Sequence, residues 1–120
     1  MQDNTTKQRI IQELVPGKQI TLAHIIANPD EILYRKLGLD PAVEYSRSAI
    51  GILTLSPAET AIIAGDVSIK ASGAQLGFVD RFSGTVILTG TFSEVEASLK
   101  AVVEYAENTL GFTVCRITKT

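Results

Sequence analysis

Residues 74–92 read AQLGFVDRFSGTVILTGTF. Two apolar runs, AQLGFVDRF and TVILTGTF, stand on either side of Ser83-Gly84, a pair suited to a tight hairpin-like turn, so two adjacent antiparallel strands are expected. The connection also crowds an acid, a base and an aromatic, Asp80, Arg81 and Phe82, into consecutive positions.

Upstream, AIGILTL (49–55) is a continuous apolar run of the kind buried on both faces of a sheet. Ser56-Pro57 with Glu59 then opens a helix, PAETAIIAGDVSIKASG, in which Ala61, Ala64, Val67 and Ala71 recur at three- or four-residue spacing. Downstream, Ser93 is placed to cap a helix with Glu96 at the capping-box position; Val95, Leu99, Val102, Val103 and Ala106 form its apolar stripe. Gly111 closes that helix, and FTVCRIT (112–118) returns as a last strand.

Further towards the N-terminus, QITLAHIIA (19–27) reads as a strand. Asn28-Pro29 follows as cap and first helical residue, opening PDEILYRKLG, which Gly38 ends. LDPAVEYSRS (39–48) has no sustained period and is expected to be a surface connection. RIIQELVPGK alternates loosely from Arg9 and stops at Pro16-Gly17, a short strand after a polar arm. Residues 1–16 therefore separate as arm and strand from a domain spanning 17–120. The order of elements predicts an α+β, ferredoxin-like core, in which split βαβ units cover one face of an antiparallel sheet.

At 120 residues and 45% hydrophobic content the chain has the material for one core and one domain. Its 11 basic residues nearly balance 13 acidic ones without any block of like charge, which argues against nucleic acid and against a polybasic membrane contact. One cysteine, no leader and no run long enough to span a bilayer point to a reduced, cytosolic protein. A positive mean hydropathy in so small a chain favours a subunit that buries apolar surface against its own copies.

The chemistry-bearing residues are few. Gly73, Gly77, Gly84 and Gly90 do not form a dinucleotide fingerprint, and there is no Walker-type motif. His24 sits inside an apolar strand, where packing or hydrogen bonding accounts for it. Cys115 reads as a small buried hydrophobe; as a nucleophile it would need His24 as its base. Asp66 and Lys70 are an acid-first pair four apart on a helix. Asp80 and Arg81 lack a second convergent acid or histidine. This inventory requires no catalysis, cofactor or metal.

Ala49 to Gly111 resembles the shell-protein domain of bacterial microcompartments, whose hexamers tile the wall of a polyhedral protein organelle. The resemblance rests on AIGILTL, GDVSIKASG, LGFVDRFSG and GTFSEVEASLKA occurring in that order. HIIANPDEILYRKLG lies before the first core strand, whereas the ordinary member carries the matching segment after its second helix. That order, with the leader VPGKQITLAHIIANP, is similar to the circularly permuted subgroup of ethanolamine- and propanediol-utilisation shells.

The resemblance implies a non-enzymatic, cytoplasmic shell subunit that forms a homohexamer, with other shell proteins and encapsulated enzymes as partners. It implies that Arg81, Phe82, Ser83 and Gly84 border a central pore, a ring that sets solute passage by charge and hydrogen bonding. It also implies that Arg9, Ile10, Ile11, Gln12, Glu13 and Leu14 form, with five symmetry mates, a small parallel barrel capping that pore. Lys70 matches an edge lysine at the seam between hexamers, with Asp66 one turn before it, while Asn28 replaces an arginine that many members carry there. VEYSRS lengthens the connection into the core, which bears on flatness or symmetry. Two other readings compete: a small-molecule-sensing oligomer on the same architecture, and an enzyme using His24 and Cys115.

Overall fold

The computed structural model describes residues 17–39 and 48–120. The described elements are β1 (Gln19–Ile26), α1 (Glu31–Lys36), β2 (Ala49–Ser56), α2 (Thr60–Ala71), β3 (Gln75–Asp80), β4 (Thr85–Gly90), α3 (Phe92–Asn108) and the short β5 (Thr118–Lys119). They form one five-stranded sheet in the order β3-β4-β2-β1-β5. β1 pairs antiparallel with β2, β2 with β4 and β3 with β4, whereas β5 runs parallel to β1. The sheet is therefore mixed rather than antiparallel throughout.

That difference comes from the C-terminal segment. Instead of one strand over FTVCRIT, there is a single bridge from Thr113 to Gln19 and a two-residue ladder that begins at Thr118 opposite His24. Between them Val114, Cys115 and Ile117 all pack towards the same core. Strict strand alternation would send neighbours 114 and 115 to opposite faces, so the ladder is broken there.

β2 is the central strand, and its two-sided burial holds for Ala49, Ile50 and Gly51. Beyond them it alternates, Leu53 and Leu55 buried and Ile52 and Thr54 half-buried. α2 and α3 cover one face, where Leu53, Val86 and Leu88 meet Ala61, Ala64, Val95, Leu99 and Val102. A Cβ on Gly51 would lie 2.6 Å from Val95 Cγ1, so α3 rests directly on the strand. Each fully buried leucine or valine on this face contributes about 1.5–3 kcal/mol.

The other face is not bare, as the one-sided arrangement expected. α1 lies over it, and Tyr34 and Leu39 close on Ile50 and Ile87. Leu39, at the start of the stretch read as a surface connection, is buried because it completes this second cluster. The Tyr34 hydroxyl donates to the Ser48 carbonyl at 2.6 Å and ties the helix to the beginning of β2.

Helix starts differ from expectation by a few residues, each for a local reason. α1 is capped by Asp30, whose carboxylate accepts the Ile32 N–H at 3.1 Å, rather than by Asn28. α2 begins at Thr60 without a side-chain cap. Its buried face runs through Ala61, Ala64, Gly65 and Ser68, while Ala71 is exposed. α3 has its capping box at Thr91 and Glu94, not at Ser93 and Glu96. Both pairs satisfy the spacing, but β4 pairs up to Gly90 opposite Ala49, so the helix takes the earlier cap.

Candidate functional site

The connection between β3 and β4 is built from Asp80 upward. β3 stops at Asp80, paired with Thr85, so the turn comprises Arg81 to Gly84 rather than Ser83-Gly84 alone. The Asp80 carboxylate accepts the Phe82 N–H at 2.9 Å, the Ser83 N–H at 3.3 Å and the Ser83 hydroxyl at 2.9 Å. The Gly84 N–H donates to the Asp80 carbonyl at 2.8 Å, closing the loop on itself. These bonds, the Phe82 N–H foremost and then the Ser83 hydroxyl and N–H, hold the Asp80 carboxyl below the usual range; the Arg81 charge adds to the effect.

The same loop is anchored to the sheet. The Leu55 N–H donates to the Gly84 carbonyl at 2.8 Å, and Gly84 takes φ +78, where a Cβ would overlap the Leu55 carbonyl oxygen. On this fixed base Phe82 is 81% exposed, the largest exposure of any big hydrophobic side chain among the described residues. The Arg81 guanidinium stacks 4.7 Å from its ring centroid. The result is a rigid loop that presents a cation and an aromatic ring to its surroundings.

The sheet register relates this loop to the other predicted residues. Gln19 pairs with Ser56 and Thr54 with Thr85, so the described chain begins at the loop end of the sheet. Arg9 to Leu14, the predicted barrel strand, lie outside the described residues. Asn28 follows the far end of β1, and α2 runs away from the loop, so Asn28 and Lys70 both sit at the opposite end of the fold. Lys70 Nζ is 2.8 Å from Asp66 Oδ2, with both side chains mostly exposed. The hydrogen bond to Asp66, then its charge, raises the lysine's pKa.

His24 has a structural role. Its Nδ1 lies 2.6 Å from the Thr118 hydroxyl and its Nε2 3.0 Å from that of Thr120, pinning the C-terminal residues to β1. Cys115 instead packs against the helix-side core, away from that ring, so the structure does not bring together the pair an enzyme would need. A narrow apolar pocket lined by Ile63 and Phe112 measures about 10 Å³, room for no more than a water. Among the described residues no group of three or more His, Cys, Asp or Glu could hold a metal.

Reading the sequence missed Asp80 as the organiser of the loop. The signal was present in D-R-F-S, an acid two and three residues before the N–H groups it accepts from.

A family model described as the BMC domain matches residues 49–118. The chain belongs to the BMC-domain family. This BMC-domain chain is 52% identical over 120 residues, the whole of both chains, to the bacterial microcompartment shell protein PduU of Salmonella typhimurium. It is 50% identical over 113 residues to the shell protein EutS of Escherichia coli, covering 94% of this chain and 97% of that one. Among solved structures it is similar to a CutR flat hexamer, with a TM-score of 0.81 and 48% identity over 88% of this chain and 94% of that chain. It is a structural shell protein of a bacterial microcompartment, not an enzyme. Among the described residues no helix is long and apolar enough to cross a membrane.

Proposed function

We propose that this shell protein closes into a cyclic homohexamer around the Arg81–Gly84 loop and tiles, with other shell proteins, into the wall of a cytoplasmic microcompartment. The observation that carries this reading is the rigid loop at one end of the sheet, opposite the Asp66–Lys70 pair, in a chain so close to a CutR flat hexamer. An axis at the loop end puts Lys70 and Asn28 at the rim, where one hexamer meets the next. Six Arg81–Phe82 pairs then border the pore, and because each Asp80 is occupied within its own turn, the guanidinium groups set the sign of that border.

The arm completes the proposal. Residues 1–16 lead into a chain that enters the fold beside the loop, which supports a reading in which Arg9 to Leu14 gather over the axis as a six-stranded barrel. Alternation in RIIQEL gives that barrel an inner and an outer side-chain set, and closure leaves no exposed strand edge.

Native mass across a dilution series tests the ring: a stable six-subunit species is expected, and a persistent monomer or dimer removes the pore. Deleting Met1 to Leu14 is expected to leave the hexamer intact and open the pore to small solutes. Collapse to protomers would instead give the arm the role of holding the ring together.

A further inference from the structure

The end of α2 that carries Lys70 is held by hydroxyl groups rather than by apolar packing. Along α2 the buried residues are Ala61, Ala64, Gly65 and Ser68, so after Ala64 no apolar side chain of the helix is buried. Val67 is half-buried, and Ile69, Lys70 and Ala71 are exposed.

Three serines hold this last turn. The Ser98 hydroxyl on α3 donates to the Ser68 carbonyl at 2.6 Å. That carbonyl lies where helix carbonyls run out of N–H partners, so α3 supplies a donor from outside the helix. The Ser72 oxygen lies 2.9 Å from that of Ser98, and the Ser72 hydroxyl reaches the Glu94 carbonyl at 2.8 Å. Ser72 also accepts the Ala74 N–H at 3.0 Å, which fixes the turn that leaves the helix. A side chain on Gly73 would strike the Glu94 carboxylate, so the first turn of α3 sits directly against this turn. Ser68 and Ser98 are fully buried. Hydrogen bonds closed to water in this way fix position more sharply than contact between alanines, because each sets an angle as well as a distance.

Lys70 stands between the two clamped positions, Ser68 and Ser72. Its side chain is held in turn to Asp66, 2.8 Å away and one turn earlier. We infer that Ser72 and Ser98 are positioning residues for tiling, and that their hydroxyls set the place and direction of Lys70 at the rim. The inference rests on the rim assignment proposed above. A contact repeated on every edge of a hexamer needs the same lysine at the same point six times. A last turn free to fray would spread that lysine over several positions and weaken tiling without touching the ring.

The test is a double-mutant cycle in the full chain between Ser98→Ala and Lys70→Ala, read as the critical concentration for sheet formation by sedimentation and electron microscopy. Ser98→Ala is expected to leave the six-subunit mass unchanged and to raise that concentration about tenfold, the size of one coupled contact. In the Lys70→Ala background the same change is expected to raise it less than about twofold, since no lysine is left to misplace. Equal effects in both backgrounds, or no effect in the parent, defeat this inference alone. A parent that tiles as readily after Lys70→Ala defeats the rim assignment and this inference with it. Amide hydrogen exchange at residues 69–73 needs no sheets: it is expected to speed up about tenfold in Ser98→Ala, and unchanged exchange overturns the clamp. If circular dichroism or native mass shows Ser98→Ala to have lost the fold or the ring, Ser72→Ala, at a half-buried serine, takes its place with the same expected outcomes.

Discussion

Replacing Gly84 with alanine separates the strain of the loop from its fit against the sheet. Gly84 has φ +78, and an alanine held there costs about 1–2 kcal/mol. The added methyl group would also overlap the Leu55 carbonyl oxygen and sit 3.1 Å from Ala58 Cα, both backbone atoms that cannot rotate away. The loop must then lift, and the 2.8 Å bond from the Leu55 N–H to Gly84 is lost, a further cost of about 1 kcal/mol. Gly111 has nearly the same torsion, φ +72, with no heavy atom within 4 Å of its missing Cβ, so Gly111→Ala measures the strain alone. Urea denaturation at one fixed protomer concentration should therefore place Gly84→Ala at least about 1 kcal/mol below Gly111→Ala. If the two variants lose equal stability, the loop is not seated on β2 through Gly84 and Leu55.

Three further outcomes follow from the geometry. The Asp80 carboxyl, followed by NMR, should titrate below the usual carboxylate range of about 4. Because its folded pKa is depressed, the stability it supplies is present above the unfolded value and is lost as pH falls through the folded one; Asp80→Asn should flatten that acid limb, and a normal titration would contradict the three-bond cradle. Thr91→Ala removes the acceptor for the Glu94 N–H and should cost about 1 kcal/mol in the same urea assay, whereas Ser93→Ala should cost only a few tenths. Lys70→Ala should leave native mass unchanged while reducing the two-dimensional sheets seen by electron microscopy, and sheets as extensive as the parent's would remove Lys70 from the rim.

What the sequence made legible was what periodicity and punctuation encode. The central strand at 49–55 and the stripe Val95-Leu99-Val102-Ala106 stand where residue pattern placed them, because each buries a contiguous apolar set, and the hairpin pairs as expected around Ser83-Gly84 but with a turn that also takes in Arg81 and Phe82. What it hid depended on competition between equivalent signals or on distant partners. Two capping boxes overlap in TGTFSEVE, and only the end of β4 selects the first. Val114, Cys115 and Ile117 read as a strand by composition, but the helix-side core takes all three and so breaks the ladder. α1 reads correctly as a helix, yet its side of the sheet follows only from Tyr34 and Leu39 meeting Ile50 and Ile87. At the site, the loop tip was legible and Asp80 was not, because its importance lies in three local hydrogen bonds rather than in any pattern of residue types.

The order of the chain also constrains what the arm can do. The strand next to β2 comes first here, and its antiparallel pairing with β2 brings its first residue, Gln19, to the loop end beside Ser56. Were the same strand to follow α3, this end of it would be an internal junction, and residues 1–16 would not join the fold beside the loop. The permuted order thus joins residues 1–16 to the fold at the end where the proposed hexamer would bring six copies together. Because the proposed barrel takes these residues to the axis rather than onto their own core, deleting Met1 to Leu14 should change the urea-unfolding free energy of the protomer by less than about 1 kcal/mol, the range of changes that remove no core packing. A loss of several kcal/mol would mean that the arm packs on its own subunit, and the barrel over the axis would then have no strands to build it.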